Sequence, residues 1–333
     1  EVALDPSQDL GMLQYSSGTT GRPRGVMMTH RNLVASHLQY IHAGGVSDTD
    51  VSLLFVPFVH VYGTMLVGGA LAAGATTVVM ERYHLETSLK LVEVHRVTLY
   101  YCTTAVVIDL VQSGLGRQHD LSSIRYINSG GAPLPGEVRR QARKELGLPI
   151  ANGYGMTEAP IVGHLVPGEE RRICAPEDAD RVLADGESGE IWVRGPQVMR
   201  GYWKDPEATA SVLRNGWLRT GDIGHVDTQG RLIITARHKE MIKYKGFAVS
   251  PTELEGLLLA HPEISDCAVV GKAQPDGNEL PKAFLVLKNG EGADAAIEAV
   301  NSRVAEYKKI REFQVVPQIP RNDAGKVLKR LLQ

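Results

Sequence analysis

The sequence predicts an α/β protein with a layered sheet-and-helix N-terminal domain, a β-rich subdomain and a small α+β C-terminal domain. Its 333 residues exceed the usual size of one domain, so two are expected. Apolar runs typical of buried strands alternate with helical segments in the first half. The 35 glycines and 17 prolines also indicate many tight turns. We place the boundary between residues 236 and 237, which gives domains of residues 1–236 and 237–333.

The first half follows this alternation element by element. The runs interpreted as buried strands are Val51–Pro57, Thr76–Met80, Thr98–Cys102, Ile124–Asn128 and Ile150–Gly153. The segments interpreted as helices between them are Leu85–His95 and Glu137–Leu146. The stretch from Val61 to Met80 has no charge and the length of a membrane span. Its glycines instead favour a helix that ends at Gly74 and is followed by a strand.

The second half has a different pattern of secondary structure. From Gly189 onward, short strands separated by turns predict the β-rich subdomain, with strands at Glu190–Arg194, Gly224–Asp227 and Leu232–Thr235. A helix over Pro251–Ala260 is predicted because Ser250 can cap its first turn and Pro251 suits its first position. The elements predicted after it are strands Asp266–Gly271 and Lys282–Leu287 and a helix Asp294–Val304.

Charge and cysteine content exclude several classes of protein. The 36 Lys and Arg residues nearly balance the 38 Asp and Glu residues, so the chain has no net field that would strongly attract nucleic acid or an anionic membrane. Cys102, Cys174 and Cys267 are far apart and form no C-x-x-C pair, which argues against a disulfide framework or a zinc site. We therefore expect a cytoplasmic protein.

The segment from Tyr15 to Gly25 carries the strongest chemical pattern, YSSGTTGRPRG. Glycines allow backbone N–H groups to approach phosphate oxygens, hydroxyl side chains add donors, and arginine neutralises charge. The spacing is not that of the Walker P-loop. A polyphosphate site is predicted here, and an ordinary surface loop is the alternative.

The segment from Asn152 to Glu158 follows a predicted strand and resembles a G-x-G-x-x-G fingerprint, but Glu158 replaces the third glycine. A carboxylate there would repel a pyrophosphate unless a metal ion lay between them. Glu158 as a Mg²⁺ ligand, with Thr157 on a phosphate, removes the conflict. A simple strand–turn connection remains the alternative.

Three further segments have weaker patterns. Ser129–Pro133 offers bare backbone against which a flat ring could lie, although a plain loop would look the same. Trp217–Asp222 places an Asp that could bind a ribose diol or cap a turn. Pro320–Lys326 places a lysine after a Gly turn, where most lysines are simply solvated.

Together these segments resemble the acyl-adenylate-forming superfamily, which includes acyl-CoA synthetases and 4-coumarate–CoA ligases. Five motifs occur in the order found in that superfamily: YSSGTTGRPRG, PFVHVYG, NGYGMTE, GWLRTGD, and ARHKEMIKYKGF with PRNDAGK. The resemblance implies ATP-dependent conversion of a carboxylic acid to acyl-AMP, followed by transfer to coenzyme A, with Mg²⁺ as cofactor. A non-catalytic nucleotide-binding protein, or an enzyme that loads a carrier-protein thiol, remains an alternative.

The resemblance also implies a role for each matching residue. Those that would contact the ATP phosphates are Ser16, Ser17, Gly18, Thr19, Thr20 and Arg24. Those that would surround the rest of the nucleotide are Gly130, Gly131, Ala132, Asn152, Tyr154, Asp222 and Arg237. The catalytic positions would be Lys326, His60, Thr157 and Glu158, with Glu158 also binding the metal. Lys239 would be the hinge of a mobile C-terminal domain, and the residues toward coenzyme A would be Lys243, Lys245 and Gly246.

Some positions depart from the superfamily pattern. Arg24 replaces the usual lysine of the phosphate loop, which keeps the charge but changes its geometry. The chain also starts just before the phosphate loop, so we expect the leading part of the N-terminal domain to be missing. A chain of this span is then not expected to complete the reaction. Apolar surface exposed by that loss would favour association of copies of the chain.

The acid is predicted from the residues that would line its pocket, which are Val61, Tyr62, Asn128, Gly153, Met156 and Pro160. This lining is mostly apolar and favours a medium-chain fatty acid or a simple aromatic acid, hence a place in fatty acid metabolism.

Overall fold

The computed structural model describes residues 3–16, 23–165, 168–176, 178, 180–322 and 326–332. The helices in these ranges are α1 (His30–Gly44), α2 (Val61–Ala73), α3 (Leu85–His95), α4 (Thr104–Ser113), α5 (Gly136–Leu146), α6 (Pro206–Val212), α7 (Pro251–Leu259) and α8 (Ala293–Asn301). The strands are β1 (Leu10–Ser16), β2 (Arg24–Thr29), β3 (Val51–Leu54), β4 (Thr76–Val79), β5 (Leu99–Thr103), β6 (Tyr126–Gly130), β7 (Ile150–Asn152), β8 (Glu170–Cys174), β9 (Gly189–Arg194), β10 (Gly201–Tyr202), β11 (Leu213–Arg214), β12 (Trp217–Val226), β13 (Leu232–Arg237), β14 (Ile242–Tyr244), β15 (Phe247–Val249), β16 (Ile264–Ala273), β17 (Glu279–Leu287) and β18 (Glu312–Val315).

A parallel sheet organises the first half, with strand order β4-β3-β5-β6-β7. Its core contains Leu53, Tyr100 and Ile127, each at most 1% exposed, packed with side chains of α3, α4 and α5. The central strands β3, β5 and β6 are largely buried, and such strands need nearly continuous apolar runs, which is why they could be predicted from the sequence. The edge strands β4 and β7 were also predicted, although they are more exposed. The sequence-predicted helix at Leu85–His95 matches α3, and Gly74 ends α2 with a φ of 74°.

Two antiparallel sheets form the next layer. One has the order β1-β2-β10, and the other has the order β11-β12-β9-β8 with β13 paired to β12. A shared core that includes Val26, Ile191 and Leu218 joins them. Of the two interpretations left open for Asp222, the cap of a turn does not apply, because Asp222 lies within the ten-residue strand β12. The pairing of β12 with β9 is irregular between Arg219 and Ile223, and this bulge takes the place of such a turn.

The C-terminal part packs α7 and α8 against the sheet β16-β17-β18, with the hairpin β14–β15 beside it. Ser250 caps α7 as predicted, since its hydroxyl accepts from the Glu253 N–H at 3.4 Å. The same hydroxyl donates to the Thr235 carbonyl at 2.6 Å, which ties α7 to β13. Within the described ranges, no helix combines the length and apolar character needed to cross a membrane.

Candidate functional site

The carboxyl edge of the parallel sheet holds the predicted loop of Gly130, Gly131 and Ala132. The Asn152 amide, at the end of β7, donates to the carbonyls of Ser129 (2.7 Å) and Ala132 (3.3 Å) and accepts from the Leu134 N–H (3.2 Å). Asn152 therefore holds the shape of this loop. Gly131 has a φ of 80° and open space where a Cβ would lie, so a planar ring can approach the backbone there.

Tyr62 forms the wall beside this loop. A Cβ on Gly130 would lie 2.8 Å from the Tyr62 ring, so the close approach requires glycine. The Tyr62 hydroxyl lies 3.1 Å from the Asn128 carbonyl oxygen and 3.2 Å from the Asn128 Oδ1, with both as acceptors. Just before it, the His60 Nδ1 accepts from the Tyr62 N–H at 3.2 Å and caps α2. Burial, and then the charge of Lys326, lower the pKa of His60, so its ring is neutral at pH 7.

Tyr154, Asp222 and Arg237 form a buried hydrogen-bonded group. The Tyr154 hydroxyl donates to Asp222 Oδ2 at 2.6 Å, and the Arg237 Nε donates to Asp222 Oδ1 at 2.8 Å. Burial and then the Asp222 charge raise the pKa of Tyr154, which keeps the phenol protonated. Burial lowers the pKa of Arg237, but the Asp222 carboxylate, together with Glu240 and Tyr154, raises it overall, and the guanidinium stays charged.

The bulge in β12 positions the Asp222 side chain for its contacts with Tyr154 and Arg237. Gly221 has a φ of 71°, and its N–H donates to the buried Glu190 carboxylate at 3.2 Å. The Asp222 N–H donates to the Thr220 hydroxyl at 3.1 Å. These bonds fix the backbone on both sides of Gly221, so the position of the Asp222 side chain is determined by the fold.

Glu158 lies in a second buried group, which includes a residue that sequence analysis missed. The carboxylate is 7% exposed and accepts from the Tyr202 hydroxyl at 2.8 Å. The Arg24 guanidinium lies 5.3 Å from the centre of the Tyr202 ring, and Arg24 pairs with Ser16 between β2 and β1. Tyr202 lies in the two-residue strand β10, in a segment with no chemical pattern, so nothing in the sequence distinguished it.

The remaining predicted phosphate-site residues are placed as follows. Thr157 is half-buried in the turn bridged by Met156 and Ala159. Ser17, Gly18, Thr19 and Thr20 lie outside the described residues.

Glu158 could hold magnesium together with a nucleotide. Its Oε1 accepts from Tyr202, whereas Oε2 has no hydrogen bond among the described residues. Among all the residues that the structure describes, no three or more His, Cys, Asp or Glu side chains form a cluster suited to a metal ion. Mg²⁺ commonly binds through one or two carboxylates, substrate phosphates and water, so one protein carboxylate fits this mode.

Lys326, in the C-terminal part of the chain, interacts electrostatically with members of both groups. Its N–H donates to the Asn322 Oδ1 at 2.8 Å. Removal from water and then the Arg237 charge lower the pKa of Lys326, while Glu240, Asp222 and Glu158 act in the opposite direction. The fold therefore brings Lys326 within electrostatic reach of the predicted nucleotide and metal residues and of His60.

The residues predicted for the hinge and for coenzyme A lie together on the C-terminal part. Lys239 is in the short 3-10 turn His238–Glu240, and the hairpin β14–β15 turns at Lys245 and Gly246, whose φ angles are 49° and 81°. Backbone amides of the hairpin donate to the opposite hairpin β16–β17: from Lys243 to the Glu279 carboxylate at 2.8 Å, and from Lys245 to the Asn278 side chain at 2.9 Å. A cavity of about 270 Å³ lies alongside, lined by Tyr244, Lys245, Gln274, Pro275, Asp276, Asn278 and Leu280.

Comparison with protein families gives two matches. A model described as AMP-binding enzyme matches residues 1–203, and a model described as AMP-binding enzyme C-terminal domain matches residues 253–326. A 4-coumarate–CoA ligase of Pinus taeda is 39% identical over 359 residues, covering 100% of this chain and 66% of its own length. The 4-coumarate–CoA ligase 1 of Oryza sativa subsp. japonica is 40% identical over 363 residues, covering 100% and 64%. The chain thus spans about two thirds of the length of these curated relatives.

Solved structures share the fold. ATP-bound MatB from Rhodopseudomonas palustris superposes with a TM-score of 0.90 at 30% identity, over 98% of this chain and 68% of that one. The o-succinylbenzoate CoA synthetase of Bacillus subtilis, in complex with its acyl-adenylate intermediate, has a TM-score of 0.85 at 30% identity, over 96% and 68%. The amide bond synthetase McbA from Marinactinospora thermotolerans has a TM-score of 0.86 at 29% identity, over 96% and 68%.

Proposed function

Because the chain belongs to the AMP-binding enzyme family, we propose that the protein is an ATP-dependent acid–thiol ligase that makes acyl-AMP and then acyl-CoA. The observation that carries the proposal is the Tyr154–Asp222–Arg237 group, in which Tyr154 follows β7 at the carboxyl edge of the parallel sheet. Lys326 is within electrostatic reach of this group and of Glu158. Such an edge is where α/β sheets usually bind their ligands. These residues combine hydrogen-bond acceptors for a sugar with charges for phosphates.

The nucleotide would be held by its ribose and its ring. Each carboxylate oxygen of Asp222 has a second lone pair beside the bond it already accepts, so Asp222 can also accept the ribose hydroxyls. Tyr154 and Arg237 keep this carboxylate oriented. The adenine ring would lie over the Gly131 backbone, where no side chain intervenes.

In the first step, a carboxylate oxygen of the acid attacks the α-phosphorus, and the bond to the bridging oxygen breaks as pyrophosphate leaves. The Lys326 ammonium and the Arg24 guanidinium would offset the charge that develops on these oxygens. His60 would lie beside the acid as a neutral ring and add no competing cation. Magnesium, which Glu158 would hold with the phosphates, supplies further charge neutralisation when bound.

In the second step, the coenzyme A thiol attacks the acyl carbon and AMP leaves. We assign this step to the turn of Lys243, Lys245 and Gly246. The backbone amides of Lys243 and Lys245 hold the turn against Glu279 and Asn278. In this step the turn would be brought to the acyl group. A rotation of the segment after residue 236 about a hinge at Lys239 would exchange the Lys326 loop for this turn.

The acid is proposed to be a medium-chain fatty acid or a simple aromatic acid. The Tyr62 ring and the Asn128 side chain, which face each other across one hydrogen bond, would form its wall. The similarity to proteins named 4-coumarate–CoA ligase supports the aromatic option. We place the reaction in the cytoplasm, because the three cysteines are free and buried.

The test is a panel of fatty and aromatic acids incubated with ATP, Mg²⁺ and coenzyme A, with the protein at its natural length. Pyrophosphate release that depends on the acid, together with an acyl-CoA detected by mass spectrometry, is the expected result. Nucleotide binding without pyrophosphate release for any acid would support a non-catalytic binding protein. Adenylate formation without acyl-CoA would point to another acceptor, such as a carrier-protein thiol or an amine.

A further inference from the structure

Ion pairs anchor both ends of the segment that carries Lys326. Before it, the Arg321 guanidinium donates twice to the Asp266 carboxylate on β16, at 2.8 and 2.9 Å. After it, the Lys329 ammonium lies 3.2 Å from Glu240 and 3.1 Å from Glu255. The Leu328 N–H donates to the Pro320 carbonyl at 2.8 Å and closes the base of the segment. The position of Lys326 therefore depends on these contacts.

Lys329 joins two carboxylates that come from different elements. Glu240 lies in the turn next to Lys239, and Glu255 lies on α7, where it also accepts from the Val269 N–H at 2.9 Å. The Lys329 side chain is 20% exposed. Burial lowers the pKa of Lys329, but Glu255 and Glu240 raise it above its ordinary value. One ammonium group thus pairs with two carboxylates, of which Glu255 is 19% and Glu240 is 36% exposed.

Glu240 acts on two lysines at once. It contacts Lys329, and it also raises the pKa of Lys326, although the pKa of Lys326 is lowered overall. In the structure, the Lys329 ammonium pairs with the Glu240 carboxylate. If that cation were absent, the attraction between Glu240 and Lys326 would no longer be offset, and a direct pair would turn Lys326 away from the nucleotide.

We propose that Lys329 is a positioning residue for acyl-adenylate formation: it occupies Glu240 and so prevents this carboxylate from capturing Lys326. The inference rests on the proposed function, since it assigns Lys326 to the adenylation step. It concerns the two lysines of one short segment and a glutamate beside the hinge.

The central experiment compares Lys329→Met with two double variants. Lys329→Met should slow acid-dependent pyrophosphate release by about 10- to 100-fold, because Lys326 is displaced. Adding Glu240→Gln should restore most of the rate, because no carboxylate remains to capture Lys326. Adding Glu255→Gln should not restore it, although it relieves the same repulsion between the two glutamates. Lys272→Met, which breaks the exposed pair with Glu312, is the matched control and should have no effect.

Two further measurements separate positioning from general damage. Thioester formation from synthetic acyl-AMP should be nearly unchanged in Lys329→Met. The rate at which a mild amine-acetylating reagent modifies Lys326, followed by mass spectrometry, should fall in Lys329→Met and recover with Glu240→Gln. This labelling needs no substrate, so it tests the inference even if no acid is turned over and the proposed function fails.

Equal rescue by both glutamine substitutions would show that Lys329 only relieves repulsion, and it would overturn the proposal. Unchanged pyrophosphate release and unchanged labelling in Lys329→Met would overturn it as well.

Discussion

Replacing Asp222 with asparagine tests the Tyr154–Asp222–Arg237 group most directly. The substitution keeps the shape of the side chain but leaves the Arg237 guanidinium, whose side chain is 24% exposed, without its anion. Removing one partner of a buried ion pair commonly costs 3–5 kcal/mol, and the remaining exposure of Arg237 reduces the expected loss to about 2–3 kcal/mol. Urea denaturation of the wild type and the variant measures this difference.

The double variant Asp222→Asn with Arg237→Met separates stability from binding. Replacing both charges removes the unpaired guanidinium, so we expect stability to return to within ~1 kcal/mol of the wild type. The affinity for AMP should stay lower by about 10- to 100-fold, because the ribose hydroxyls lose a charged acceptor.

A control and a refuting result complete this test. Asp180→Asn, in an exposed pair with Arg214 of β11, should change neither stability nor AMP affinity appreciably. If the double variant is no more stable than Asp222→Asn alone, the reasoning about the buried pair is wrong. If AMP affinity is unchanged in both variants, Asp222 does not bind the ribose.

Other substitutions test the remaining site. Lys326→Ala should abolish acid-dependent pyrophosphate release while thioester formation from synthetic acyl-AMP continues, and equal loss in both half-reactions would contradict its assignment. Gly246→Ala should slow thioester formation and leave pyrophosphate release intact. It should also cost ~1 kcal/mol of stability, because the φ of Gly246 is 81°. No change in either half-reaction would remove Gly246 from the coenzyme A site. His60→Asn keeps an acceptor that caps α2 but does not titrate. Because the folded protein lowers the pKa of His60 below 6.5, the neutral ring contributes stability above that pH and the contribution is lost as pH falls through the folded value. Urea titrations at several pH values should therefore show the wild type losing stability relative to His60→Asn below pH 6.5, and parallel curves would disprove this.

Local sequence patterns predicted two kinds of element: those whose side chains are buried on several sides, and those whose first residue is marked by a capping side chain. The helix α3 matches its predicted range, and α7 begins at the predicted Ser250 cap. By contrast, α1 was not predicted, although Thr29 and Asn32 cap each other reciprocally at its start. Its polar residues Ser36 and Gln39 are fully buried against other segments, so no clear apolar face marks it in the sequence.

The sequence by itself determined the family. It also predicted the kind of ligand and the residues that would contact it, because phosphate, sugar and metal each require particular side chains in short, ordered motifs. Only the tertiary structure decided how those residues are held. Tyr202 reaches Glu158 across 44 positions, and Tyr154 reaches Asp222 across 68. The contacts of Lys329 with Glu240 and Glu255 depend on three separate elements. Such contacts leave no periodic or local pattern in the chain, since they arise where the sheets and the C-terminal segment meet.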